Sequence, residues 1–487
     1  MPTPAPTQLI RPTSPLRPSF HFTPNSGWLN DPNGMIYLDG EYHLFYQHNP
    51  AATVWGPMHW GHAVSRDLLS WEELPIALAP DDIGAIFSGS AVIDRDNTAG
   101  FGANAMVAIF THAAKDKQLQ SLAYSKDRGR TWTKYKSNPV LQPPDGQANY
   151  RDPKVFWFAE GKYWVMALAV AKEIWFYRSS NLKDWTESSR FGADAGSHGG
   201  VWECPELIQL NVEGTDEKRW VLVVSVGNGA PAGGSGVQYF VGQFDGVTFT
   251  SQDAPKTIRW MDYGADFYAP QAWNDAPHGR KLALAWMNNW SYGDKTPDSG
   301  GWRGSMSLPR ELSLRQDGKD TVLVQQPVRE LDALNKPCVE WDAKKIDRQT
   351  ILLDQACGSV QEIRVTFRVD ANTTASYFGL RVRGNAAGAT VIGYNVQHSK
   401  LILNRSAAGP KLPGFAAPHL APLEPRQGVI TLRILIDQNS VEIFADDGRV
   451  VMTEQLFPEP GSEAVAVFAE DGAVDVESLA MYHLSVN

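Results

Sequence analysis

The sequence predicts an all-β fold, a five-bladed β-propeller followed by a C-terminal β-sandwich, and three observations predict it. Short apolar runs bounded by Gly, Pro and Asp fill the 487 residues, and almost no helical periodicity interrupts them. A strand-rich pattern recurs five times in the first two thirds of the chain. Of the 17 Trp residues, only Trp341 lies beyond Trp302, so the chain changes character near residue 330. A chain of this length is expected to form two domains.

The first blade-forming pattern is a polar motif followed by an apolar strand, a polar turn and a second apolar strand. Its five copies are marked by Asp31, Ser88, Asp152, Glu203 and Tyr268, at spacings of 57, 64, 51 and 65 residues. Propeller blades are four-stranded sheets that repeat around an axis, and a period of this size suits one blade. A β-sandwich of the same length is the competing interpretation, and the regular repetition disfavours it.

A second pattern runs out of phase with the first and consists of a polar turn closed by an aromatic residue. It ends at Trp71, Trp132 and Trp185, with a looser copy ending at Phe249. The copy at residues 125–132, SKDRGRTW, resembles the Asp-box of sialidases, which is a structural turn. These tryptophans are therefore predicted to pack in outer turns, and the motif supports a propeller without implying sialic acid chemistry.

From about residue 340 the pattern becomes simple alternation of apolar and polar residues, as in EIRVTFRV, VITLRILID and SVEIFAD. Alternation over short segments joined by turns predicts a β-sandwich. The predicted organisation is a Pro/Thr-rich tail over residues 1–20, a propeller over 21–332 and a sandwich over 333–487.

Composition excludes several classes of function. The formal net charge is −10, from 44 Lys and Arg against 54 Asp and Glu, and no long basic run is present, so neither nucleic acid nor an anionic membrane is an expected partner. No apolar stretch is long enough to span a bilayer. Three Cys form neither a disulfide framework nor a CxxC zinc pair, and no cofactor or metal is expected. The first twenty residues lack the apolar core of a signal peptide, which predicts a cytoplasmic protein unless the sequence is a mature form.

The repeat brings distant acidic residues together. The innermost strand of each blade lines the propeller axis, so the polar motifs at the starts of these strands should meet at one mouth of the channel. Glycosidic cleavage needs one carboxylic acid to protonate the leaving oxygen and a second carboxylate to attack or to activate water. Glu203 has apolar sequence neighbours and is predicted to be the acid, whereas Asp31 or Asp152 is the nucleophile. A single Asp before Pro more often caps a turn, so the prediction depends on the shared position in the repeat.

Three motifs resemble the signatures of glycoside hydrolase family 32, which contains invertases, exo-inulinases and levanases. They are WLNDPNG at residues 28–34, RDP at 151–153 and ECP at 203–205. The resemblance implies a five-bladed propeller with a sandwich and a retaining mechanism. It also implies Asp31 as the nucleophile, Glu203 as the acid/base and Asp152 as the stabiliser of the transition state. A retaining pair of carboxyl groups should lie about 5–5.5 Å apart.

The resemblance also implies a fructosyl pocket, in which amide and hydroxyl groups bind sugar hydroxyls, an arginine fixes negative charge and tryptophans form flat walls. The predicted pocket residues are Asn30, Gln47, Trp55, Ser88, Arg151, Tyr268 and Trp286.

The predicted activity is release of terminal β-D-fructofuranosyl residues from levan or inulin, with sucrose also cleaved. Alternatives are an invertase that prefers sucrose, a fructosyltransferase, an inverting five-bladed glycosidase acting on arabinan or xylan, and a non-catalytic carbohydrate-binding relative. The sandwich is a candidate surface for homo-oligomer formation.

Overall fold

The computed structural model describes residues 14–297, 299–353, 357–407 and 409–485. These residues form seven β-sheets, five in a propeller and two in a sandwich, in agreement with the predicted fold class. The 3-10 helices Pro277–Gly279 and Arg329–Leu334 accompany the strands. Most of the predicted tail, residues 1–13, lies outside the described residues. In the described part of the chain, no helix has the length and apolarity needed to cross a membrane.

The five propeller blades follow one another along the chain. Blade 1 contains β1 (Gly27–Leu38), β2 (Glu41–Asn49), β3 (His59–Ser65) and β4 (Glu72–Leu78). Blade 2 contains β5 (Ala85–Asp94), β6 (Ala105–Ala113), β7 (Gln118–Ser125) and β8 (Thr133–Lys134). Blade 3 contains β9 (Tyr150–Phe158), β10 (Tyr163–Val170), β11 (Glu173–Ser179) and β12 (Thr186–Phe191). Blade 4 contains β13 (Trp202–Asn211), β14 (Lys218–Val226), β15 (Gly236–Phe244), β16 (Phe249–Ser251) and β17 (Arg259–Trp260). Blade 5 contains β18 (Tyr268–Ala272) and β19 (Leu282–Trp286), followed, after β20 (Trp302–Arg303), by β21 (Arg310–Asp317) and β22 (Asp320–Pro327).

The first strand of each blade lies at the propeller axis. Strands β1, β5, β9, β13 and β18 contact one another in sequence, and β18 contacts β1 again, so they form a closed ring. The short strand β20 leaves blade 5 and pairs in parallel with β1 at Gly27 and Trp28, which joins the last blade to the first. Antiparallel pairing within each blade then fans outwards from this ring.

The predicted outer turns share one hydrogen-bond pattern. The indole N–H groups of Trp71, Trp132 and Trp185 donate to the carbonyl oxygens of the residues three positions earlier, at 3.2, 3.0 and 2.9 Å. In each turn one non-glycine residue adopts a positive φ, a conformation that side chains rarely take: Leu68, Arg128 and Leu182. The repetition of this strained turn supports the prediction that the motif is structural.

The sandwich packs two antiparallel sheets around one apolar core. The first sheet contains β23 (Asn335–Trp341), β24 (Lys344–Asp347), β26 (Gln361–Arg368), β31 (Val429–Asp437), β32 (Ser440–Ala445), β33 (Val450–Gln455) and β35 (Ala473–Leu484). The second contains β25 (Thr350–Leu352), β27 (Tyr377–Asn385), β28 (Gly388–Asn395), β29 (Lys400–Asn404), β30 (Pro418–Pro422) and β34 (Ala464–Glu470).

Buried polar contacts fasten the sandwich to the propeller. Asp266, two residues before the predicted pocket residue Tyr268, forms a buried ion pair with Arg405 of the sandwich. The same carboxylate accepts hydrogen bonds from the hydroxyl of Tyr292 at 2.6 Å and from the backbone N–H of Gln455 at 2.8 Å. The sandwich thus holds the segment of chain that enters β18.

Candidate active site

Each of the five axial strands carries a β-bulge at its polar motif. In β9, Arg151 pairs with Ala169 and Lys154 with Ala167, so the axial strand has one residue more than its partner between the two pairs. Equivalent irregularities lie between Leu29 and Pro32, Ile86 and Gly89, Glu203 and Glu206, and Tyr268 and Gln271. A bulge redirects side chains and commonly lies beside an active site.

Proline explains why the bulges form at these motifs. Proline lacks the N–H group needed in a β-ladder and is tolerated in a strand mainly at bulges or edges. Four of the five bulges contain or adjoin a proline: Pro32, Pro153, Pro205 and Pro270. In three of them, the residue before proline adopts a positive φ: Asp152 at 63°, Cys204 at 46° and Ala269 at 53°.

The bulge register refines the predicted alignment of the acidic residues. Glu203 occupies the register position of Arg151 and Tyr268, the last paired residue before the bulge. Asp152 lies one position later, inside the bulge, where blade 4 has Cys204. The acidic residues therefore share the same mouth of the propeller without sharing one position in the repeat.

Cys204 lies between the two aspartates. Its Sγ is 3.4 Å from Oδ2 of Asp31 and 3.5 Å from Oδ2 of Asp152. Its backbone N–H also donates to Oδ2 of Asp152 at 3.0 Å. The structure thus brings Asp31 and Asp152, from blades 1 and 3, onto a single thiol of blade 4.

Glu203 contacts polar groups, in contrast to the apolar setting predicted from its sequence neighbours. Arg151 donates to Oε1 of Glu203 from Nη2 at 2.9 Å and from Nε at 3.2 Å. The hydroxyl of Tyr268 donates to Oε2 at 2.5 Å. These contacts orient both oxygens of the carboxyl group, and they come from the two neighbouring axial strands.

Asp31 is held by short side chains of blades 1 and 2. Asn30 donates to Oδ1 at 3.1 Å and the Ser88 hydroxyl donates to Oδ2 at 2.7 Å. The indole of Trp28 fixes Asn30 by donating to its Oδ1 at 2.7 Å. Burial raises the pKa of Asp31, and the negative charge of Glu203 raises it further, against the opposing effect of these hydrogen bonds.

Asp152 is also buried, and its charged neighbours act in opposite directions. Burial raises its pKa to about 7; Arg151 opposes this rise, while the charges of Glu203 and Asp31 add to it. Nε of Arg151 is 3.8 Å from Oδ2 of Asp152 and donates a hydrogen bond to Glu203 instead. Arg151 thus lies between the carboxyl groups of Asp152 and Glu203, while Asp31 reaches the cluster through the thiol of Cys204.

The remaining predicted pocket residues occupy different depths. Gln47 is buried and donates to Oδ1 of Asn33 at 2.9 Å. Trp55 is 48% exposed, and its ring lies 6.0 Å from that of Phe87, next to Ser88. Trp286 is wholly buried, so its direct contact with a sugar stays a prediction.

The exposed aromatic residue beside Trp286 is Trp290, which sequence analysis missed. It is 37% exposed, and its ring lies 4.8 Å from that of Trp286 and 6.3 Å from that of Trp28. The segment WMNNW over residues 286–290 was the available signal, because it carries one tryptophan at the end of the β18–β19 hairpin and a second one four residues later. The buried ring of Trp286 supports the exposed ring of Trp290 from the interior. Among the described residues, no group of three or more His, Cys, Asp or Glu is placed to hold a metal ion.

Comparison with known proteins identifies the family. The model described as "Glycosyl hydrolases family 32 N-terminal domain" matches residues 21–327, and that described as "Glycosyl hydrolases family 32 C terminal" matches residues 330–483. The chain belongs to glycoside hydrolase family 32. It is therefore a glycoside hydrolase with the propeller and sandwich of family 32, as the motifs predicted.

Similar members of family 32 include two bacterial levanases. The chain is 48% identical over 479 residues to a levanase of Bacillus subtilis, covering 96% of this chain and 70% of the levanase. It is 37% identical over 495 residues to a levanase of Bacillus sp. strain L7, covering 97% of this chain and 52% of that protein. The chain thus spans about half the length of the second levanase.

A solved family 32 structure matches the whole fold. The crystal structure of exo-inulinase from Aspergillus awamori superposes with a TM-score of 0.92 at 35% identity, covering 98% of this chain and all of that one. The superposition therefore covers both the propeller and the sandwich.

Proposed function

We propose that the protein is a retaining exo-acting fructanase that releases terminal β-D-fructofuranosyl residues from levan or inulin and also cleaves sucrose. The observation that carries this proposal is the cluster of Asp31, Asp152 and Glu203 at one mouth of the propeller, joined by Cys204 and Arg151. The names of the similar levanases and exo-inulinase support fructans as the substrate class.

In the first step, Asp31 attacks the anomeric carbon of the fructosyl unit while Glu203 donates a proton to the leaving oxygen. The bond from the anomeric carbon to that oxygen breaks, and a fructosyl ester on Asp31 forms. Asn30 and Ser88 hold the attacking carboxylate in place. In the second step, Glu203 takes a proton from water, which attacks the anomeric carbon and frees Asp31.

Asp152 is proposed to accept hydrogen bonds from the sugar hydroxyls rather than to react. Its backbone N–H donates to Oγ1 of Thr111 at 3.0 Å and its carboxylate accepts from Cys204, so its position is fixed from two blades. A carboxylate held in this way can strengthen its bonds to the substrate in the transition state. Trp55 and Trp290 are proposed to flank the sugar.

The domain boundaries remain part of the proposal, with the propeller at 21–332 and the sandwich at 333–487. The family models, which end at 327 and begin at 330, support a division there. Formation of a homo-oligomer through the sandwich stays a prediction.

Kinetics on sucrose, inulin and levan, with products separated by size and by anomer, test the activity. We expect fructose as the sole early product of the polymers, released with retained β configuration. Asp31→Asn should lower kcat by about 10⁴-fold or more, because no covalent intermediate can form. A ladder of oligosaccharides would overturn exo action, and an inverted product or full activity of Asp31→Asn would overturn the mechanism.

A further inference from the structure

A second cavity opens at the other mouth of the propeller. Its volume is about 460 Å³, within the range of small-molecule sites, and it is lined by the far ends of the axial strands. Strand β9 carries Asp152 near its start and the cavity residue Trp157 near its end. Five residues of extended strand separate them, which is roughly 17 Å. The second cavity is therefore separate from the active site.

Aromatic side chains are concentrated at this mouth. In the described part of the chain, three tryptophans are strongly exposed: Trp55 and Trp290 beside the active site, and Trp157, 37% exposed, beside the second cavity. Trp157 packs on Trp164 with ring centroids 5.0 Å apart, and Trp220 lies against Phe156 at 5.6 Å. Exposed indole faces backed by other rings are rigid platforms on which the apolar face of a sugar ring can pack.

The polar lining carries both signs of charge in nearly equal number. The acidic residues are Asp94, Asp96, Glu206 and Asp275, and the basic residues are Arg95, Arg280 and Lys281. Such a lining suits neither a strong anion nor a strong cation. It suits a neutral polyhydroxy ligand, whose hydroxyls can donate to carboxylates and accept from cations.

Lys281 is a basic group of this lining whose ammonium group is free to bind a ligand. Its neighbours are already paired: Glu206 forms an ion pair with Lys154 at 2.7 Å, and Arg95 with Asp275 at 3.1 Å. Within the described residues, the ammonium group of Lys281 makes no hydrogen bond or ion pair. Burial lowers its pKa, as expected for a cation that lacks a partner.

We propose that this second cavity is a non-catalytic carbohydrate-binding site that holds a segment of a fructan chain against Trp157 and Trp220. The choice of fructan rests on the proposed function; the assignment of a neutral sugar rests on the cavity itself. Bound there, a polymer stays attached to the enzyme while its ends are released and recaptured, which raises the local concentration of ends.

The test is electrophoretic retardation in gels containing levan or inulin, made in an Asp31→Asn background so that the polymer stays intact. We expect Trp157→Ala to weaken retardation by about tenfold in apparent Kd, from the loss of one stacked ring. Lys281→Met keeps the side-chain stem, removes the ammonium group and should also weaken retardation. Leu352→Ala is the matched control, because Leu352 is 62% exposed on the sandwich and should leave retardation unchanged.

In the active background, kcat/KM for sucrose should stay within about twofold of wild type for Trp157→Ala and Lys281→Met, because a disaccharide occupies the catalytic mouth alone. Unchanged retardation in both variants would overturn the second site even if fructan hydrolysis is established. Equal decreases in kcat/KM for sucrose and for the polymer would also overturn the second site, because they would show that the substitutions disturb the active site. If neither levan nor inulin retards the Asp31→Asn parent, the assignment of the ligand as a fructan is wrong.

Discussion

Carboxylates are buried both at the active-site mouth and at the interface between propeller and sandwich, but the two regions differ in how fully cationic side chains pair with them. At the interface, His21 contacts Asp437 at 2.8 Å and Glu442 at 2.9 Å, and Arg310 contacts Glu442 at 2.7 Å. These contacts outweigh burial: the pKa of Glu442 falls to about 2, that of Asp437 also falls, and that of His21 rises to about 9.

At the proposed active site, Asp152 and Glu203 share Arg151, and Asp31 contacts no cation in the part of the chain that the structure describes, so the effect of burial on the two aspartates is not offset. The pKa of Asp31 is raised, and that of Asp152 is raised to about 7. Asp262 is the interface residue that behaves like the active site, because burial raises its pKa although Arg310 opposes the rise. Pairing with cations therefore stabilises the charged form of a buried acid, whereas a buried acid with too few cationic partners keeps a raised pKa at a cost in stability.

Among the variants that test this difference between the regions, the largest loss of activity should come from Glu203→Gln, which removes the proposed proton donor but keeps the shape of the side chain. We expect kcat for sucrose to fall by about 10²–10⁴-fold, the usual contribution of general acid–base catalysis. A fructoside with a good leaving group needs less protonation and should lose less in the first step. Initial rates on both substrates check this, with thermal unfolding as a control for folding. Equal losses on the two substrates would contradict a proton-donor role.

At the interface, Arg310→Met should affect stability rather than chemistry. Removing the guanidinium leaves Asp262 and Glu442 buried with less positive charge, which costs about 3–5 kcal/mol for a broken buried pair. Denaturant unfolding measures the loss, and kcat per folded molecule should be kept. The matched control is Arg348→Met, whose ion pair with Asp347 is exposed and should contribute less than about 1 kcal/mol. If both variants lost less than about 1 kcal/mol of unfolding free energy, the buried ion pairs of Arg310 would stabilise the fold no more than an exposed pair does.

Sequence reasoning reached the blades and the acidic residues because both depend on local repetition. A polar motif ahead of an apolar strand is visible within ten residues, and its spacing predicts the ring of β1, β5, β9, β13 and β18. The one-residue offset between Asp152 and Glu203 was not predicted, because register in a bulge depends on pairing with the next strand. The prolines of the motifs were the available signal.

Contacts between distant segments could not be predicted from the sequence patterns. Three contacts join segments that share no repeat. Strand β20 pairs with β1, the thiol of Cys204 lies between two aspartates, and His21 hydrogen-bonds Asp437 of the sandwich. The surroundings of Glu203 were misjudged for the same reason. Its sequence neighbours are apolar, but Arg151 and Tyr268 come from other blades. Nearest neighbours in sequence describe a side chain poorly when alternate residues of a strand face opposite sides.

Asp152→Asn should stabilise the protein while lowering its activity. The pKa of Asp152 rises from an ordinary 3.8 to about 7 on folding, so between these values the folded state binds more protons than the unfolded state. The free energy of unfolding of the wild type therefore falls as pH rises from about 4 to 7. Asparagine does not titrate and can still accept the hydrogen bond from the N–H of Cys204, so the variant escapes this loss. We expect similar stability near pH 4 and, from this rise in pKa, an advantage of about 4 kcal/mol for the variant at pH 8, measured by denaturant unfolding. Glu442→Gln is the opposite control, because the pKa of Glu442 is lowered and its charge stabilises the fold at neutral pH. Destabilisation of Asp152→Asn at pH 8 would show that the charge of Asp152 is paired as fully as that of Glu442.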